Sequence, residues 1–161
     1  PVDGGVLTEA SIRRLTIHDD EAAQERFRRI YEAETELNHG LGRADEDGWS
    51  ANVSDESGHL IFGPYATDWG DRPIKVVFRM MIDVVNDTEE EVVNIDIHDA
   101  TTQETLLSMP LIRRQFRAPF AYQDFEIEVD LMGRANHQIE TRVFWHDISY
   151  VRVDRVTVIG Q

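Results

Sequence analysis

A chain of 161 residues, 41% of them hydrophobic, suits one domain with a sizeable core and a short appendage, and no apolar run approaches the roughly 20 residues that span a bilayer. With 31 acidic against 16 basic residues the net charge is −15, which repels phosphate backbones and anionic membranes and sets both aside as partners. The absence of cysteine excludes disulfides, thiol catalysis and cysteine-ligated zinc, and a chain opening on Pro1 is expected to be a piece excised from a longer protein, attached there to other domains.

Residues 1–18 carry one short apolar alternation at Ile12, Leu15 and Ile17 and read as a lead-in or inter-domain segment. Asp19-Asp20 offers a helix start, and Ala23, Phe27, Ile30, Tyr31 and Leu37 recur at spacings of three, four and seven, so periodicity alone predicts a helix from about Asp20 to Asn38, stopped by Gly40. From Gly40 to Gly58 the chain is polar and turn-rich, with room for one short strand at Trp49–Val53. His59–Phe62 is a compact strand closed by Gly63-Pro64, and Tyr65–Pro73 is a second exposed loop.

Strands then follow regularly. Lys75–Val85 alternates Val76, Phe78, Met80 and Ile82 against Val77, Arg79, Met81 and Asp83, and Val92–His98 sets Val93, Ile95 and Ile97 against Asn94, Asp96 and His98. Leu106–Ile112 contains Pro110 and reads as an edge strand. Tyr122–Leu131 places Phe125, Ile127, Val129 and Leu131 inward and Glu126, Glu128 and Asp130 outward. The closing pair is the most informative stretch. In its first run Ile139, Thr141, Val143 and Trp145 share one face and Glu140, Arg142, Phe144 and His146 the other. The second run begins with Val151 and Val153 and continues out of phase with Val156 and Val158, so Asp154 is either turned out by a bulge or held inward by a partner, because an unpaired buried charge is costly. Short alternating strands without intervening helices predict an all-β antiparallel sandwich.

Tyr31-Glu32-Ala33-Glu34 followed by His39-Gly40, then Gly63-Pro64-Tyr65, then Val153-Asp154-Arg155-Val156, resembles carbohydrate-binding modules of the calcium-containing β-jelly-roll type, families 6 and 35, over roughly residues 30 to 159. The resemblance implies a jelly-roll, galactose-binding-like domain over 30–161, preceded by a partly helical or irregular N-terminal extension over 1–29. It starts a strand at Ile30 and ends the helix near Arg29. In that family the first and last strands lie side by side around a structural calcium, which carries over here to Glu32, Glu34 and Asp154; two carboxylates two residues apart share one face of a strand, and calcium takes several flexible oxygen ligands. The alternative is that Glu32 and Glu34 are solvated helix residues and that Asp154 pairs with Arg142 or Arg152.

Sugars stack their C–H faces on aromatic rings and need fixed polar partners for their hydroxyls. The loop aromatics are Trp49, Tyr65, Trp69, Phe120 and Tyr122. Trp69, set among Asp68, Gly70, Asp71 and Arg72, is the leading ligand residue, followed by Trp49 with Arg43 beside it, and Tyr122; Tyr65 reads equally as a packing residue. A second candidate surface is the polar face of the middle strands, comprising Arg79, Asp83, Asn94, Asp96, His98, Arg142 and His146 beside Phe144, where internal ion pairing is the competing reading. Asp45-Glu46-Asp47-Gly48 lacks the later ligands of an EF-hand. The six histidines show no HExxH spacing, and there is no nucleophile elbow or phosphate loop, so the domain is expected to be non-catalytic. The expected function is binding of a poly- or oligosaccharide by a module of an extracellular or cell-surface protein. The alternative is a jelly-roll protein-interaction or spacer domain without glycan affinity.

Overall fold

The computed structural model describes residues 27–161, so the lead-in segment and the helix start at Asp19-Asp20 lie outside the described residues. Ten strands follow one another: β1 (Arg28–Glu32), β2 (Arg43–Asp45), β3 (Gly48–Ala51), β4 (Gly58–Ala66), β5 (Pro73–Ile82), β6 (Glu91–Asp99), β7 (Glu104–Ile112), β8 (Gln123–Asp130), β9 (Ile139–Trp145) and β10 (Val151–Gly160). Every pairing between them is antiparallel. Among the described residues the only helical element is a single 3-10 turn, Arg113–Gln115, and none is long and apolar enough to cross a membrane.

The strands form two sheets. In the six-stranded sheet the order is β2-β3-β10-β5-β8, with β1 also on β10; the four-stranded sheet runs β4-β9-β6-β7. β10 is the hub of the larger sheet. One edge pairs along its length with β5, while the other is shared end to end, Val151–Val153 with β3 and Arg155–Ile159 with β1. The register against β5 shifts between Val153 and Arg155, so Asp154 is the extra residue of a bulge. The bulge reconciles the two phases: Val151 and Val153 before it and Val156 and Val158 after it are all fully buried. The first and last strands of the described chain are therefore neighbours, with Glu32 opposite Arg155.

The two sheets face each other across one apolar core that includes Phe78, Met80, Ile95, Val143, Trp145 and Val156. Alternation places these residues. β9 buries Ile139, Thr141, Val143 and Trp145, and β8 buries Phe125 and Ile127 while exposing Glu126 and Glu128. β7, carrying Pro110, is an edge strand as its proline requires.

Three expectations are corrected. Among the described residues the helix predicted by periodicity as far as Asn38 is absent: Arg28–Glu32 is a strand, which begins two residues before the Ile30 start that the resemblance implied. Of the residues that set its spacing, Phe27, Tyr31 and Leu37 pack on the core from just before the strand, from within it and from the turn after it, which the Glu36 amide closes by donating to the Glu32 carbonyl at 2.9 Å, while Ile30 is exposed. Between Gly40 and Gly58 lies a hairpin rather than one strand, and Val53 is exposed outside it. β4 does not close at Gly63-Pro64 but continues to Ala66.

Trp145 fills the space between the sheets with no exposure, and its Nε1 donates to the Ser149 carbonyl at 2.9 Å. Trp145→Ala is expected to cost about 3–5 kcal/mol of stability in chemical denaturation, through the cavity and the orphaned carbonyl together.

Candidate functional site

The four residues nominated for ligand contact are differently placed. Trp69 is wholly buried, its ring 5.8 Å from that of Tyr31, so it belongs to the core and cannot stack on a ligand. Its polar flanks misled because they surround a side chain that the loop turns inward. Trp49 is half-buried at the rim of the core, stacked on the His39 ring at 3.5 Å and 5°, and donates from Nε1 to the Leu41 carbonyl at 2.6 Å. Both faces and the polar edge are thus largely committed. Arg43 is exposed and paired with Asp55. Tyr122 donates to Asp47 at 2.6 Å, accepts from Arg152 Nε at 2.8 Å, and lies under the Arg79 and Arg152 guanidinium groups. Burial first, and then the Asp47 carboxylate, push its phenol well above the usual range, so it stays neutral.

At the junction of the chain ends, Asp154 is turned onto the outer face of the larger sheet and accepts from Arg79 Nε at 3.1 Å. Its partner is therefore neither Arg142, which lies in the other sheet, nor Arg152, which reaches Asp45 and Asp47. Glu32 closes β1, whereas Glu34 lies in the turn beyond it, so the two do not share a strand face. The three carboxylates nevertheless interact: burial, then Asp154 and Glu34, push the Glu32 carboxyl upward. Among the described residues no three Asp, Glu or His side chains gather closely enough to hold a cation as they stand. Side chains alone therefore do not surround a cation here, a calcium would need main-chain carbonyls as well, and Arg79 already holds one of the three carboxylates.

The outer face of the four-stranded sheet is differently built. Its rows run across the strands: His59 of β4 beside Phe144 of β9 and Asn94 of β6; Phe62 beside Arg142 and Asp96; Pro64 beside Glu140 and His98. Five of the seven residues of the predicted polar face meet here, while Arg79 and Asp83 belong to β5 and its end in the other sheet. Arg142 grips Asp96 through two bonds, Nε to Oδ1 at 2.8 Å and Nη2 to Oδ2 at 3.1 Å, and reaches Thr105 Oγ1 at 3.2 Å. His146 hydrogen-bonds Asn94. Ion pairing thus claims the centre of the face, but not all of it.

Beside the pair a groove of about 480 Å³ is lined by Gly40, His59, Phe62, Tyr65, Gln103 and Glu140, with His98, Ala100 and Arg142 at its sides. Phe62 and Tyr65 meet edge to face at 6.4 Å, as do His59 and Phe144 at 5.1 Å. Tyr65 has φ of 66°, in the left-handed region that a bulky side chain rarely adopts, at a register shift between Pro64 and Ala66. The bend costs about 1–3 kcal/mol and puts the ring where it is 37% exposed over the groove. Glu140 is 95% buried and lines the groove, where the Tyr65 hydroxyl is its hydrogen-bonding neighbour. Burial pushes its carboxyl upward, and Arg142 and His98 offset this only in part. Burial likewise pushes the His59 imidazole down and keeps it neutral. Glu140, His59, Phe62 and Gln103 were not identified from sequence. The alternation of β9 shows Glu140 and Arg142 on one face, but only the pairing of β4 and β6 with that strand shows what stands beside them.

A second groove, of about 350 Å³, crosses the outer face of the six-stranded sheet between Arg28, Arg79, Arg155, Asp124 and Glu126. It has no aromatic ring in its lining, and Arg79 bridges Asp124 and Asp154.

The turn that brings Ala100 and Gln103 to the first groove hangs on Asp99, which has no exposure. Its Oδ1 accepts from the amides of Thr101 and Thr102, and its Oδ2 from Arg134 at 2.8 Å and His137 at 2.7 Å. Burial opposes the charge, but these bonds outweigh it and hold the carboxyl well below the usual range. A depressed carboxyl contributes stability in full above its unfolded value of about 3.9 and loses it as the pH falls from there through the folded value. Asp99→Asn is expected to flatten this acid limb of a stability–pH curve and to lower stability at neutral pH; an unchanged acid limb would show that Asp99 does not carry it.

No family model and no curated protein matches the sequence. Solved structures with the same fold include the C-terminal family 6 carbohydrate-binding module of a marine laminarinase from Zobellia galactanivorans (8% identity, 83% of this chain and 100% of that one, TM-score 0.50). Another is the module CBM6cm-2 of lichenase 5A from Cellvibrio mixtus in complex with cellotriose (8% identity, 83% and 97%, TM-score 0.51). A third is an enzyme, a Stig cyclase from Fischerella sp. TAU (7% identity, 83% and 75%, TM-score 0.50). The β-sandwich is thus the jelly roll of carbohydrate-binding modules. At such identities the likeness is one of fold, and the same fold also carries a cyclase.

Proposed function

We propose that this domain is a non-catalytic module that binds a poly- or oligosaccharide along the outer face of its four-stranded sheet, as part of a larger extracellular or cell-surface protein. The observation that carries the reading is the groove itself. Phe62 and Tyr65 offer apolar ring surface, while Glu140, Arg142, His98 and Gln103 offer fixed polar groups around it, which is the combination a sugar requires. Tyr65 is held over the groove in a strained backbone conformation, and strain of this kind gathers at ligand-binding positions. The groove on the other sheet lacks aromatic surface and spends its charges on one another. The fold, shared with modules such as the one solved with cellotriose, supports the same reading.

In affinity gel electrophoresis against soluble β-glucans and xylans, Tyr65→Ala is expected to weaken retention about tenfold, since one stacking ring contributes on the order of 1–1.5 kcal/mol. Trp69→Ala is expected to unfold the protein rather than to report on binding. Retention untouched by Tyr65→Ala would move the site off this face, and no retention on any glycan would favour the interaction or spacer domain.

A structural calcium at the junction of β1 and β10 is a separate proposal. The mutual repulsion of Glu32, Glu34 and Asp154 supports it, since a bound cation relieves such repulsion; the Arg79 bond to Asp154 opposes it. Millimolar calcium is expected to raise the melting temperature by roughly 2–4 °C, with reversal by chelator and loss of the effect in Glu32→Gln. Identical melts with calcium and with chelator would remove the cation.

A further inference from the structure

Glu140 is the one carboxylate lining the groove; the Tyr65 hydroxyl is its hydrogen-bonding neighbour, and among the described residues no cation forms a salt bridge with it. It stands between Pro64 of β4 and His98 of β6, 95% buried and in the lining of the groove. The groups facing it are Tyr65 and His59 from β4, Asp96 and His98 from β6, and Arg142 on its own strand. Arg142, the only arginine lining the groove, is committed to Asp96 through both Nε and Nη2, with Thr105 taking a further bond. His98 is engaged through Nδ1 with Thr105, and His59 is neutral. The lining therefore presents one buried carboxylate, aromatic surface and no unengaged fixed cation.

A buried carboxylate whose hydrogen-bonding neighbour is a neutral hydroxyl is only partly compensated, and a ligand that supplies a charged donor makes up the difference with a hydrogen bond roughly twice as strong as a neutral one. A ligand carboxylate would instead meet Glu140 with no free cation to offset the repulsion, on a protein of net charge −15 that repels it at long range as well. Resting on the carbohydrate-binding reading above, we propose that the groove is selective for glycans bearing a free amine, with the sugar ammonium seated against Glu140, and that it discriminates against uronic-acid polymers.

The test is isothermal titration of the chain, at about physiological ionic strength to suppress non-specific attraction, with glucosamine tetramer, its N-acetylated counterpart, cellotetraose and tetragalacturonate. The glucosamine tetramer is expected to bind about tenfold more tightly than the acetylated one, and tetragalacturonate to show no binding. Glu140→Gln is expected to erase the preference, so that the amine and acetylated tetramers bind alike. Glu128→Gln, which removes the same charge from an exposed position on the opposite sheet, is expected to leave the preference intact. The preference should also decline as the pH falls and Glu140 takes up its proton, and again as the pH rises and the sugar amine loses its own.

Equal affinity for the amine and acetylated tetramers would overturn the proposal, as would a preference that Glu128→Gln reduces as much as Glu140→Gln does. In either case, binding of cellotetraose that is lost in Tyr65→Ala would leave the carbohydrate reading standing. Absence of binding to every tetramer would remove both.

Discussion

Asp96 and Arg142 neutralise each other across β6 and β9, and the character of the exposed face of the four-stranded sheet follows from that pair. Two bonds fix the guanidinium in the plane of the carboxylate, on a face where Asp96 is 6% exposed. Such a pair contributes little net stability relative to a packed apolar equivalent, but removing one member strands the other, at a cost of about 3–5 kcal/mol. Its larger effect is on what remains. With Arg142 engaged, Glu140 two residues away has no cation of its own, and the neighbouring ring surface of Phe62 and Tyr65 is left free.

The other sheet serves a different purpose. β10 takes β3 and β1 in succession along one edge and β5 along the other, so the bulge at Asp154 is where three partners are brought into one register. The carboxylate that the bulge turns outward is answered by Arg79, and Lys75 approaches Glu126 and Glu128 at 3.9 Å on the same face. This surface uses its charges to hold strands together, whereas the opposite sheet leaves one carboxylate without a cation beside a groove. The fold supplies both faces equally, and the side chains decide which of them suits a ligand.

Much of the architecture could be read from the residues because it rests on local alternation. The two-residue period of β9 and the phase change in β10 were visible, and the structure explains the second by a bulge at Asp154, one of the two outcomes the phase change allowed. The side-by-side placement of first and last strands, implied by resemblance, is also found. The errors share a cause. Phe27, Tyr31 and Leu37 mimic a helical spacing although a strand and the residues flanking it bring them to the core, and Trp69 looks exposed because its neighbours are polar while its own side chain fills the interior. Asp154 finds Arg79, 75 residues away, rather than either nominated arginine, and that choice depends on which strands are neighbours. Glu140 and Tyr65 matter for the same reason. Tyr65 shows in sequence only as one of five loop aromatics and Glu140 only as one residue of an alternating strand, and the two come to line one groove when β4 and β6 are paired on either side of β9.

The most direct test of the outer face of the four-stranded sheet as the ligand surface is a side-chain NMR titration with a bound oligosaccharide. The account predicts perturbations gathered on the ring protons of Phe62 and Tyr65 and on the Arg142 Nε–H, with the groove of the six-stranded sheet unaffected. Perturbations gathered instead on Phe120, Tyr122 and Tyr150 at the end of the sandwich, with Phe62 and Tyr65 unmoved, would contradict it.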